Sequence, residues 1–299
     1  MQRVVLPFSS TITGPYDTST CRTSVGILAL CSKIRILVRS PSDIASHDPQ
    51  FYCSEAQHIS FPLLEHMEWW YNDKAERTGG INSLSAVLCT APNLTYLFIA
   101  GMPGHTNTIP RSLSLPVLTT LHLRNGDSFL LHDIVDRWTL PALAHLILDN
   151  PVWNSQSILI IWEKFGSQLR TVELGKHLLF LLKDAVSPCL QCCPSLEEIN
   201  YYPLFTTSPV LQQAHYSLKT VGLHNAPNLY IMEQASIRSS LEQHFDLLPS
   251  RQLPLLQRIV LHGDWTNALA DSRFKQILER SARRGSFIVY PDGSRVSID

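Results

Sequence analysis

Cys189-Leu-Gln-Cys192-Cys193 gathers three thiols into one short stretch, the one place where residue type and spacing suggest a metal. A structural zinc ion wants four tetrahedral ligands, usually two such pairs or one pair with histidines, and no second C-x-x-C occurs in the chain. Cys189 and Cys192 are therefore read as small apolar fillers of a helix face, with Cys193 at the corner before Pro194, and no metal is assigned. Phosphate-cradling G-x-x-x-x-G-K-[ST] and G-x-G-x-x-G loops are missing, as are H-E-x-x-H and G-x-S-x-G. The sequence accordingly names no catalytic and no cofactor-binding residue, and the chain is read as not being an enzyme. What remains is recognition chemistry. Tyr96, Phe98 and Ile147 offer aromatic and apolar anchors, His122 and His145 a proton or an acidic partner, and Glu173 and Asn200 polar contacts.

These residues take their meaning from a repeat. A phrase often written Pro-x-Leu-x-x-Leu-x-Leu recurs along the chain, most clearly in LPVLTTLHL at 115–123 and LPALAHLIL at 140–148. Its first position is Cys31, Leu64, Leu94, Leu118, Leu143, Leu169, Leu196, Leu218 and Leu256. In every copy the fourth and sixth positions are hydrophobic, from Ile34 and Ile36 through Leu121 and Leu123 to Ile259 and Leu261. Alternation of that kind is a short strand whose fourth and sixth residues face the core and whose third and fifth face away. Tyr96, Phe98, His122, His145, Ile147, Glu173 and Asn200 all fall at third or fifth positions. Between the copies the period becomes helical, as in Leu131, Ile134, Val135 and Trp138, or Ile158, Ile161, Trp162 and Phe165. Proline stands two residues before the first position at Pro62, Pro92, Pro116, Pro141, Pro194 and Pro254, where it should stop a helix and extend the chain.

Strand and helix alternating at this period cannot bury each unit alone, whereas stacked neighbours share a core. The expected fold is an α/β solenoid with a curved parallel sheet on the concave side and helices on the convex side. Residues 1–24 read as a Ser/Thr-rich N-terminal extension, and 25–299 as one irregular repeat domain of about nine repeats.

Composition narrows the role. At 44% hydrophobic and 16% charged, the chain of 299 residues is that of a folded protein, and its net charge of -1 argues against a nucleic-acid coat. The cations of the segment Asp271 to Arg284 read as the solvated face of a last helix. No stretch approaches the length of a membrane span, and Val4, Val5 and Leu6 before Pro7 are too few for a secretory signal. Seven scattered cysteines point to reduced thiols inside the cell, in cytoplasm or nucleus.

The repeats resemble leucine-rich repeats. Their uneven length and the phrases Ala91-Pro-Asn-Leu-Thr-Tyr-Leu97 and Cys193-Pro-Ser-Leu-Glu-Glu-Ile199 resemble the arrays of fungal F-box proteins, over roughly residues 25–290. Asn125, Asn150 and Asn225 fall at the eighth position, not the ninth that carries asparagine in many such repeats, and read as turn residues. The F-box, a helical segment opening with Leu-Pro-x-E, is not visible before the first repeat. The resemblance implies that the array holds a protein destined for ubiquitination by a cullin-RING ligase, with the ligase adaptor as a further partner if an F-box lies upstream. A free-standing leucine-rich-repeat scaffold with no ligase role fits the same residues.

Overall fold

Each well-spaced copy of the phrase folds as one short strand. The computed structural model describes residues 3–6, 33–39, 60–71, 83–101, 112–124, 128–149, 155–175, 184–225 and 234–297. It comprises two compact units, Met1–Leu143 with Pro151–Trp153, and Ala144–Asn150 with Asn154–Asp299. The chain is an α/β protein in which strands of parallel sheet alternate with helices.

The first unit holds β1 (Arg3–Leu6), β2 (Ile36–Arg39), β3 (His66–Trp70), α1 (Leu84–Leu88), β4 (Tyr96–Ala100), β5 (Leu113–Ser114), β6 (Thr120–Arg124), α2 (Ser128–Arg137) and β7 (Trp138–Thr139). Its main strands run in the order β1-β2-β3-β4-β6, all parallel, and β5 pairs separately with β7. Strand β1 lies inside the stretch read as an N-terminal extension and pairs with β2. Helix α2 buries Leu131 and Ile134 as its spacing predicts, but it ends at Arg137, and Trp138 opens β7 instead of closing the helix face.

The second unit holds β8 (His145–Asp149), α3 (Ser155–Phe165), β9 (Thr171–Leu174), α4 (Val186–Cys192), β10 (Glu198–Tyr201), β11 (Thr220–His224), α5 (Gln234–Leu247), β12 (Arg258–His262), α6 (Thr266–Leu269), α7 (Ser272–Arg283) and β13 (Phe287–Val289). The strands follow chain order from β8 to β13 in parallel pairing. Ile158, Ile161, Trp162 and Phe165 are all buried on α3. Among the described residues, no helix in either unit is long and apolar enough to cross a membrane.

One hydrogen-bond device sets the register from strand to strand. The carbonyl just before a strand accepts from two successive N–H groups leading into the next strand of the sheet: Glu65 O from Thr95 and Tyr96 at 2.9 and 3.0 Å, Thr95 O from Thr119 and Thr120 at 3.0 Å each. Ala144, Arg170, Glu197 and Lys219 do the same in the second unit. With the register pinned, the fourth and sixth side chains of neighbouring strands stack on the covered face, where Leu97, Ile99, Leu121 and Leu123 are buried.

Pro194 stands just past the end of α4, as expected, and the prolines also occupy the second place of a tight turn closed by a hydrogen bond onto the first leucine position, as in Phe61–Leu64 (3.1 Å), Ala91–Leu94 (3.3 Å) and Cys193–Leu196 (3.0 Å). That place suits a fixed φ and asks nothing of the missing N–H. Before Leu218 there is no proline, and a side chain closes the corner: His215 Nδ1 accepts from the Leu218 N–H at 3.2 Å while Nε2 donates to the Cys193 carbonyl at 3.0 Å.

The first copy is shifted by three residues from the frame read in the sequence. Leu37 stands opposite Met67 and Ile36 opposite His66, so Ile34 is the first position, Leu37 the fourth and Arg39 the sixth. Ile-Arg-Ile-Leu-Val is apolar enough in both frames to hide the choice. Arg39 tolerates its covered position, at 3% exposed, because its guanidinium lies 4.3 Å from the centre of the Trp69 ring. Cys31, Asn125 and Asn150 lie outside the described residues.

The basic segment near the C-terminus is a packed helix. Asp271 caps α7 by accepting from the Arg273 N–H at 3.0 Å, and Phe274, Ile277 and Leu278 are buried. Arg273 and Arg280 pair with Glu242 and Asp246 of α5 at 2.9 and 3.0 Å, so these cations serve a helix neighbour.

Candidate functional site

Residues at third, fifth and seventh strand positions form an open face in each unit, opposite the covered face. Strand pleating alone puts them there. In the first unit this face is a run of rings. His66 and Tyr96, opposite each other on β3 and β4, stack with centroids 4.2 Å apart and planes 3° from parallel. The Tyr96 hydroxyl and His122 Nδ1 on β6 share a hydrogen bond of 3.2 Å. His66 Nε2 in turn donates to the Glu68 carboxylate at 3.0 Å.

Phe98 meets His122 edge-on at 4.6 Å and Trp70 at 5.6 Å. Expected to stand exposed, it is only 7% exposed, because rings from the strands on both sides close over it. Ala100 is small enough that Trp70, on one side of it in register, also comes within 5.9 Å of the Arg124 guanidinium on the other. The half-buried rings His66, Trp70, Tyr96 and His122 present aromatic surface on this face.

The second unit carries a more polar face. His145 Nε2 donates to Glu173 Oε1 at 2.9 Å across β8 and β9, and Asn200 Nδ2 donates to Glu198 Oε1 at 3.0 Å within β10. Ile147 lies between His145 and Asp149 on the open face and is half-buried. Beside these, Tyr202, His224 and His262 form a stack from strand to strand, with centroids 4.7 and 4.1 Å apart. Burial pushes the His262 imidazole below its ordinary range, partly opposed by the charges of Glu173 and Glu198. Burial also raises the Tyr202 phenol, with the Asp149 charge adding to it.

All seven residues singled out from sequence therefore occupy the open face, Tyr96, Phe98 and His122 in one unit and His145, Ile147, Glu173 and Asn200 in the other. Sequence reasoning stopped the strand at its sixth position and so missed the seventh, where Trp70, Arg124, Tyr202, His224 and His262 stand. One more step of the same alternation would have found them.

Cys189 and Cys193 are buried, and desolvation holds the Cys189 thiol well above its ordinary range, with the neighbouring thiols pushing the same way. Among the described residues no three His, Cys, Asp or Glu side chains are grouped to hold a metal ion. No protein-family model and no curated protein matches this chain.

Proposed function

We propose that this chain is a leucine-rich-repeat module that binds a protein partner through the open face of its strands, in the manner of the substrate-holding arrays of fungal F-box proteins. The repeats form a solenoid in this reading, and the module works inside the cell, in cytoplasm or nucleus. The observation that carries the proposal is the ring run His66, Tyr96, His122, Phe98 and Trp70. These side chains brace one another on the open face while the core is filled from the other side by Leu97, Ile99, Leu121 and Leu123. Half-buried aromatic rings with polar tips, held in place before binding, lose little freedom when a partner covers them.

The test is affinity purification of the full chain from cells with quantitative mass spectrometry, the parent against Tyr96→Ala. The proposal expects a reproducible set of captured proteins that falls several-fold in the variant while its melting temperature stays close to the parent's. An identical set in both refutes the face. Recovery of the cullin-RING adaptor subunit with the chain supports the ligase role, and its absence beside a captured partner supports the free-standing scaffold.

A further inference from the structure

The second unit contains two glycines on its open face, and each is overlain by an acceptor from the preceding strand. A Cβ at Gly175 would stand 2.5 Å from Asp149 Oδ1. A Cβ at Gly222 would meet Asn200 Oδ1, and would lie 3.0 Å from His262 Nε2. The missing side chains leave notches in the row, and oxygen atoms occupy them.

Asn200 is the informative residue. It is 6% exposed, and its Oδ1 has no hydrogen-bond partner. The amide cannot relieve this by flipping, since its Nδ2 is the donor that the Glu198 carboxylate requires at 3.0 Å. A buried acceptor left bare is costly, a deficit that an arriving donor removes. Around it the charge is one-sided. Described open-face positions of this unit carry the carboxylates Asp149, Glu173 and Glu198 against one cation, Arg258, which lies 4.0 Å from Glu198, so 3 − 1 leaves two negative charges. Flanking them is the ring stack of Tyr202, His224 and His262.

We propose that this face takes an arginine side chain of the partner protein, its guanidinium lying against the Tyr202–His224–His262 stack and donating to Glu173, Glu198 and Asn200 Oδ1. The assignment rests on the recognition reading above and specifies its partner. A guanidinium fits because it is planar, carries five donors and no acceptor, and stacks on rings, whereas an ammonium is compact and more strongly hydrated. One donor meets Asn200 Oδ1 where that oxygen fills the notch over Gly222, beside the His262 ring.

The experiment is fluorescence polarisation of the full chain with a labelled (Gly-Arg-Gly)3 peptide, and with its lysine and glutamate counterparts. The arginine peptide should bind several-fold tighter than the lysine peptide, and the glutamate peptide should not bind. Glu198→Gln and Asn200→Leu should each weaken the arginine peptide about tenfold, the scale of one charge-assisted hydrogen bond. Glu279→Gln, an equal charge change on α7, should leave binding unchanged, and circular dichroism identifies any variant that fails to fold. Should Asn200→Leu not fold, Glu173→Gln replaces it with the same expected loss. Equal binding of the arginine and lysine peptides, or equal losses in Glu198→Gln and Glu279→Gln, overturns the proposal in favour of unspecific charge attraction. Partner capture through Tyr96 without arginine-peptide binding overturns this inference alone; peptide binding without any partner in cells overturns the recognition reading alone.

Discussion

His244 on α5 makes the stability of the second unit depend on pH in a way that can be worked out beforehand. The ring is fully buried, with Nε2 donating to the Thr206 carbonyl at 3.1 Å and Nδ1 accepting from the Tyr201 hydroxyl at 3.3 Å. Desolvation lowers its pKa from 6.5 to about 4, although the Thr206 carbonyl and the Asp184 charge both pull upward. The folded state thus binds a proton less readily than the unfolded chain. Stability from the neutral ring is fully present above about pH 6.5 and is lost as the pH falls towards 4. At about 1.4 kcal/mol for each pH unit between the two values, the complete loss is about 3 kcal/mol, of which about 2 kcal/mol has gone at pH 5. Urea unfolding at pH 7.5 and pH 5, parent against His244→Gln, isolates the effect, because glutamine offers a donor and an acceptor but does not titrate. Every other group titrates in both proteins. The parent should lose about 2 kcal/mol more than the variant between the two pH values. Equal losses would mean that His244 is not the buried neutral ring described here.

Leu121→Ala should cost about 2–5 kcal/mol in chemical unfolding, since Leu121 is 1% exposed on the covered face between strands β4 and β6. Gly166→Ala should lose at least as much as an overpacked core, about 1–3 kcal/mol, because its Cβ would stand 2.3 Å from the carbonyls of both Trp162 and Cys192, and backbone yields less readily than a side chain. Phe98→Ala should cost about 3 kcal/mol of stability and clearly lower the melting midpoint, while Tyr96→Ala changes it little, which the two single variants compared by thermal melting will show.

Much of the architecture was legible because it is written in two periods. Hydrophobic residues at the fourth and sixth positions predicted the covered faces of β3, β4, β6 and β8 to β12, and the helical spacing of Ile158, Ile161, Trp162 and Phe165 predicted α3. The pattern failed where it was degenerate. Around Ile34 to Val38 two frames were equally apolar, and only pairing with β3 chose between them. The burial of Phe98 was hidden because the rings that cover it, Trp70 and His122, belong to neighbouring strands and touch it only once the register is set. The same holds for the Gly222 notch, which depends on the Asn200 side chain crossing from the strand beside it.

Photo-crosslinking in cells tests whether a protein partner lies on the open face. A benzoylphenylalanine placed at Tyr96 reports contacts of that face, and the same residue at Phe129, 54% exposed on helix α2, reports the helical side of the same unit. Position 96 should yield a discrete crosslinked protein and position 129 none. A crosslink from position 129 with none from position 96 would contradict a partner on that face.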